Sequence, residues 1–228
     1  MQNTITDATS APQPIQDWVQ ISDTYSQGWE FFKANWKLVL KFAGMAGLLL
    51  YGPQMLVSFF SSAFVTEETS ILVSVIMFAI SIWQMIVGMG VIVVFLKLIR
   101  KSEGEFQFSV EDFFSVTDKF WTYLWANIRY SLIVMLGFIL FLIPGIIWSI
   151  KYMYVPYLVL DKSLDTNEAF KASADMTDGI KWQLIGFSLV GGLIGIAGML
   201  ALGIGLLVAM PVVYIATFML YDRLLARA

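Results

Sequence analysis

Four long apolar runs constrain this chain more than any other feature: residues 38–64, 71–96, 123–160 and 182–221. A helix needs about 20 apolar residues, at 1.5 Å each, to cross a hydrocarbon core about 30 Å thick. The first two runs suit one crossing each. The third and fourth are about twice that length and have to double back. Pro144-Gly145 is the natural break in the third run. Proline removes a helix donor and clashes with the preceding turn, and glycine supplies free dihedrals. Gly203-Ile204-Gly205 is the best turn in the fourth.

The expectation is an all-α polytopic membrane helix bundle. Six transmembrane helices would span about 38–64, 71–96, 123–142, 145–160, 182–201 and 206–222, arranged as three hairpins. Residues 1–16 carry little to bury and are expected to form a disordered polar tail ahead of a single six-span domain at 17–228. They lack the basic and apolar regions of a secretory signal. Pro53, Pro156 and Pro211 read as kinks. Composition agrees: 58% of residues are hydrophobic and 14% charged, against about 25% charged in a soluble domain.

Charge gives a second line of argument. Six spans place both termini and both long connections on one side. That side holds 13 of the 14 Lys and Arg residues, from Lys33, Lys37 and Lys41 through Lys97–Arg129 and Lys162–Lys181 to Arg223 and Arg227. The positive-inside rule then puts both termini and both long connections in the cytoplasm, and the expected location is the plasma (inner) membrane. A five-span arrangement would expose Lys162, Lys171 and Lys181 on the far side.

Three amphipathic segments precede the three hairpins. Trp18, Ile21, Tyr25, Trp29, Phe32 and Trp36 share one helical face, and its aromatic rings suit the headgroup layer. Asp17 with Gln20 could cap it. Val110, Phe113, Thr117, Phe120 and Leu124 share a second face, with Ser109-x-x-Asp112 as its start signal. The third runs from Asp165 to Asp178. Asp165 with Glu168 makes a capping box, Glu168/Lys171 and Lys171/Asp175 are supporting pairs, and Gly179 is the stop. A helix followed by a hairpin therefore recurs three times. Alternating loop lengths alone could produce the same pattern.

Several chemistries are closed. The chain has no Cys and no His, which removes thiol chemistry, Cys or His metal sites and imidazole catalysis. A net charge of −3 leaves no footprint for nucleic acid. No cofactor, metal or catalytic set is expected. Glu103, Glu105, Glu111 and Asp112 read as a solvated face beside Lys101 and Lys119. Lys151 is the one basic residue well inside an expected span. An intramembrane charge is a functional candidate by default, though its long stem could snorkel to the outer interface. Gln54, Gln84 and Asn127 suit interhelical hydrogen bonds as well as a substrate path.

One stretch carries a resemblance. Ile143-Pro144-Gly145-Ile146-Ile147, then Tyr157 to Asp161, then Glu168-Ala169-Phe170-Lys171-Ala172-Ser173 with Thr177 and Gly179 resemble a group of uncharacterised bacterial and archaeal multi-pass proteins. That group is related to the membrane domain of glycerophosphodiester phosphodiesterases. The segment from Gly28-Trp29 to Trp36 resembles its opening segment. The resemblance marks Asp161, Glu168, Lys171, Ser173 and Thr177 as candidate functional residues, beside Lys151 from its place in the apolar run, and Pro144 and Gly145 as the hairpin. It implies a membrane-organising or lipid-proximal role. Hydrolysis belongs to the soluble barrel of the fused proteins, which has no counterpart here. Two functions compete: a non-catalytic membrane scaffold or adaptor with a membrane or cytoplasmic protein partner, and a small transporter or lipid-binding bundle. The lipid bilayer is the one partner common to both.

Overall fold

A computed structural model describes residues 17–64, 70–100, 107–201 and 205–227, with side chains omitted for 17–21, 62–64 and 70. The expected tail at 1–16, the turn residues 66–69, 203 and 204, the residues Lys101, Glu103 and Glu105, and the side chains of Asp17, Trp18, Gln20 and Ile21 lie outside this description. Among the described residues there are eight α-helices: α1 (Asp17–Phe64), α2 (Ser70–Arg100), α3 (Phe120–Leu140), α4 (Leu142–Lys151), α5 (Val155–Lys162), α6 (Thr166–Met176), α7 (Lys181–Leu200) and α8 (Leu206–Leu225). Six helical segments are long and apolar enough to cross a membrane.

The first amphipathic segment and the first apolar run form one helix, α1, bent at Asn35 (φ −120°, ψ 21°). The Asn35 side chain donates to the Phe31 carbonyl within the bend. Of the expected aromatic face, Tyr25 and Phe32 are buried, while Trp29 and Trp36 stay exposed. The first limb packs on α8 and α7, and the second on α2.

The second amphipathic segment is not one α-helix: only its end, Phe120 and Leu124, lies in α3, which corrects the expectation of a helix before each hairpin. Two short 3-10 helices, Glu111–Phe114 and Thr117–Lys119, take its place. The reason is tertiary. The Phe113 backbone lies directly on Gly90 of α2, where a Cβ would come within 1.8 Å of the Phe113 oxygen. This contact seats the Phe113 ring against Phe42 (5.7 Å) and Phe108 (6.3 Å). Burying such a ring is worth about 2–3 kcal/mol, more than a short helix gains from propensity. Asp112 accepts from the Ser109 amide at 2.8 Å and fixes the bend.

The hairpin residues also need correcting. The chain turns at Phe141, which is extended (φ −166°, ψ 158°), and α4 starts at Leu142. Pro144 and Gly145 lie inside the first turn of α4. Proline is tolerated there because that amide would have no partner in its own helix. Gly145 instead brings the two legs together: a Cβ on Gly137 would meet the Gly145 Cα at 2.8 Å.

Pro156 marks the break expected of it. The return leg of the hairpin is divided into α4 and α5 by Tyr152–Tyr154, with Pro156 in the first turn of α5. The chain reverses again through Ser163, left-handed at φ 56°, and α6 folds back along α5. The capping box at Asp165 and Glu168 forms as expected, and Gly179, at φ 74°, ends the segment. The core gathers the lower half of α2, all of α5 and the lower half of α8: Val87, Phe95, Leu158, Ile215, Phe218 and Tyr221 are buried together.

Candidate functional site

Three helix ends converge on one guanidinium. Arg100 closes α2, Asp161 sits near the end of α5 and Asp222 near the end of α8. Arg100 donates through Nη1 to Asp161 Oδ1 at 2.5 Å and through Nη2 to Asp161 Oδ2 at 2.8 Å. It reaches Asp222 through Nη2 at 2.6 Å and Nε at 3.2 Å. The Tyr221 hydroxyl donates to Asp161 Oδ2 at 3.1 Å. Bidentate guanidinium–carboxylate pairs are the strong kind, and one cation here holds two anions that would otherwise repel. Asp161 is the most enclosed, with 10% of its side chain exposed against 29% for Asp222 and 36% for Arg100.

A second polar contact closes the gap between α4 and α5. A broken helix leaves carbonyls without intrahelical partners. The Lys151 carbonyl, at the end of α4, accepts from Ser173 Oγ at 2.9 Å and Thr177 Oγ1 at 3.2 Å. Both donors are buried, Ser173 on the inner face of α6 and Thr177 as its C-cap. Arg129 of α3 holds the other end of that helix, bonding Asn167 Oδ1 at 2.5 Å and stacking 4.6 Å from the Phe170 ring. Lys119 Nζ donates to the Leu160 carbonyl at 2.8 Å and fastens α5 to the start of α3.

The residues marked in the sequence thus fall into separate places. Asp161 belongs to the Arg100 cluster. Ser173 and Thr177 meet the Lys151 backbone. Glu168 is spent in the capping box. Lys171 is exposed, and its expected pairs with Glu168 and Asp175 are absent from the described ion pairs. Lys151 does not run on through a continuous span. It ends α4 beside α6, with its ammonium 5.3 Å over the Tyr152 ring. Asp178, at the foot of α7, is held below the usual carboxylate range by Lys181 at 2.7 Å, with a smaller contribution from Lys151. Gln84 bonds Gln54 at 2.8 Å and the Leu50 carbonyl at 3.0 Å, so these two amides join α1 to α2.

No related protein was found. Comparisons of the chain with protein-family models, with curated proteins and with solved structures each gave no match.

Arg100, Asp222 and Tyr221 are the residues sequence reading missed, though a signal existed. Arg100, Asp161 and Asp222 stand 61 residues apart in turn, the outer two separated by 122. Trp121 and Trp182, near the starts of α3 and α7, and Gly137 and Gly198, near their ends, keep the same offset of 61. Each Asp is followed by a basic residue, Lys162 or Arg223.

Two grooves complete the site. One, about 520 Å³, lies between α7, α8 and the first limb of α1, lined by Tyr25, Phe187, Gly191, Met199, Met210 and Val213. The other, about 500 Å³, lies between α1, α2 and α8, lined by Phe42, Ala46, Gly88, Phe95, Tyr214 and Phe218. Both linings are apolar side chains with hydroxyls as the polar groups.

Proposed function

We propose that this chain is a non-catalytic, lipid-proximal scaffold of the plasma (inner) membrane, with both termini in the cytoplasm. Three hairpins enter the membrane from one side, and an amphipathic layer built from the first limb of α1, α5, α6 and the 107–119 segment lies at that side. Sequence-adjacent contacts of α1 with α2, α3 with α4 and α7 with α8 support the three-hairpin reading. So does the constant offset of 61 residues.

The observation that carries the scaffold reading is the use made of charge. Arg100 offsets one of the two negative charges of Asp161 and Asp222 while tying three helices together, and neither groove gathers acids or bases around its hydroxyls. A catalytic pocket places such groups around a cavity. The face left free for a partner is the outer side of α6, where Glu168, Lys171 and Asp175 are exposed. The resemblance to the membrane domain of glycerophosphodiester phosphodiesterases supports the lipid-proximal part.

Photo-crosslinkers placed at Lys171 and Asp175 in native membranes test this reading. A discrete protein adduct from those positions, absent from a crosslinker at lipid-facing Leu193, is the expected result. Lipid adducts alone, with native mass spectrometry retaining a headgroup-specific lipid or a small solute, would overturn it. That outcome would favour the transporter or lipid-binding bundle, for which the two apolar grooves are the specific support.

A further inference from the structure

The three hairpins differ in reach. α2 and α8 run side by side in register: Phe95 packs on Phe218 at 5.1 Å, and Gly88 and Met210 line the same groove. Beyond that level α8 has four more residues to its end at Leu206, about 6 Å at helical rise. α2 has 18 more to Ser70, about 27 Å. α1 keeps pace with α2, since Trp83 bonds the Leu49 carbonyl and Gln84 the Leu50 carbonyl. The α1–α2 hairpin therefore overtops α7–α8 by about 20 Å. Chain spacing gives a similar figure. Trp36 to Arg100 is 64 residues, whereas Trp121 to Asp161 and Trp182 to Asp222 are 40 each. The surplus, halved between two legs, is about 18 Å.

Water-facing groups fix where the membrane begins. The first limb of α1 crosses α8 with Gly28 against Val212 and Ala216, and its outer side exposes Asp23, Glu30 and Lys33. From Val212 to the start of α8 is about 9 Å. On the other side, Phe113 rests on Gly90 with Glu111 exposed next to it. From Gly90 to Ser70 is about 30 Å, the thickness of the hydrocarbon core. α4 has ten residues, about 15 Å, between its tip and the contact of Lys151 with α6.

The tips agree with these lengths. The first turn reads Thr66-Glu67-Glu68-Thr69-Ser70, suited to headgroups and water. The second and third, Phe141 to Gly145 and Ala201 to Gly205, contain no side chain that can hydrogen-bond. Phe141 and Leu200 are 76% and 79% exposed. Backbone polar groups cannot be left open to hydrocarbon. At Phe141 the amide donates to the Gly137 carbonyl, and the carbonyl accepts from the Gly145 amide.

We propose that α1–α2 alone crosses the hydrocarbon core. The α3–α4 and α7–α8 hairpins are half-depth insertions whose tips end near the bilayer midplane, against the acyl chains of the opposite leaflet. Lys151 then lies at the level of the amphipathic layer with the other basic residues, and every connection stays on the side already assigned by charge.

The cysteine-free chain allows a direct test. Single substitutions Ser70→Cys, Phe141→Cys, Leu200→Cys and Lys171→Cys are made in the full protein, in phosphatidylcholine–phosphatidylglycerol vesicles. A membrane-impermeant maleimide is added from either side. Labelling of Ser70→Cys from one side and Lys171→Cys from the other is expected. Phe141→Cys and Leu200→Cys should react from neither side until detergent is added. A fluorophore at either tip should be quenched most by lipids spin-labelled near the chain terminus. Labelling of either tip from the Ser70 side, or of Ser70→Cys from the Lys171 side, would overturn the proposal. So would labelling of either tip from the Lys171 side. Leu142→Cys replaces Phe141→Cys should that variant not fold.

Discussion

Tyr154 carries a polar atom that its surroundings do not use. The side chain is fully buried between Tyr157 and Tyr221, and among the described residues its hydroxyl is the one buried side-chain polar atom without a hydrogen-bond partner. An unsatisfied hydroxyl costs about 1–3 kcal/mol. Tyr154→Phe is therefore expected to stabilise the protein, by about 1 kcal/mol, read as a higher midpoint of thermal unfolding in nanodiscs. The Arg100 cluster gives the opposite sign. Removing one partner of an enclosed ion pair costs about 3–5 kcal/mol and of an exposed one about 0–1. Asp161→Asn, on the enclosed side, is expected to lose about 2–3 kcal/mol. Asp222→Asn should lose less than half as much. Equal losses in the same unfolding assay would show that burial does not set the order. Gly90→Ala drives a methyl into the Phe113 backbone, which has no soft neighbour to yield. The expected result is loss of hydrogen-exchange protection across 107–119.

At the scale of single elements, α6 is fastened at both ends. Ser173 and Thr177 hold the carbonyl that the break at Tyr152–Tyr154 leaves free, and Arg129 holds Asn167 and Phe170. The double substitution Ser173→Ala, Thr177→Val removes both donors from Lys151. It is expected to expose amides of 166–176 to exchange about tenfold faster, with the rest of the chain unchanged. This region was legible in the sequence because its determinants are local: Asp165 and Glu168 cap the helix, Gly179 stops it, and Pro156 breaks what precedes it. The 107–119 segment was not legible. Its apolar spacing fits a helix, and a glycine on another helix decides otherwise. The turn at Phe141 was misplaced for a related reason. Pro144 is a turn signal in isolation and equally a first-turn residue of a helix. The Arg100 cluster lies between these cases: its spacing was in the sequence, but only contact between the ends of α2, α5 and α8 shows what the spacing is for.

For the molecule as a whole, the apolar runs disclosed six helical segments long and apolar enough to cross a membrane. They could not disclose depth, because a run of 20 apolar residues reads the same in lipid and against another helix. Lys151 illustrates the limit. Counted along the chain it falls well inside an apolar run, and in the fold it ends α4 at a break whose free carbonyl is held by Ser173 and Thr177. Half-depth hairpins make the cost of a charge depend on where it is placed. Phe141→Lys puts an ammonium near the midplane, which costs about 2.5–3.5 kcal/mol on insertion scales. Ser70→Lys leaves the charge at an interface, where the cost is small. Insertion and folding yields in vesicles should fall for the first and hold for the second. Comparable yields would mean that the two tips share an environment.

Unequal hairpins also give the molecule a mechanical sense. Near the amphipathic layer six helices displace lipid, and beyond the midplane two do. A helix with side chains is about 10–12 Å across, so one monolayer is widened by roughly 300–450 Å² more than the other for each copy. A sheet expanded on one surface bends, convex toward the expanded side. A patch rich in this chain would bulge toward the face that carries the amphipathic layer, and in a mixture of liposome sizes the protein, inserted with that face outward, would collect on the smallest.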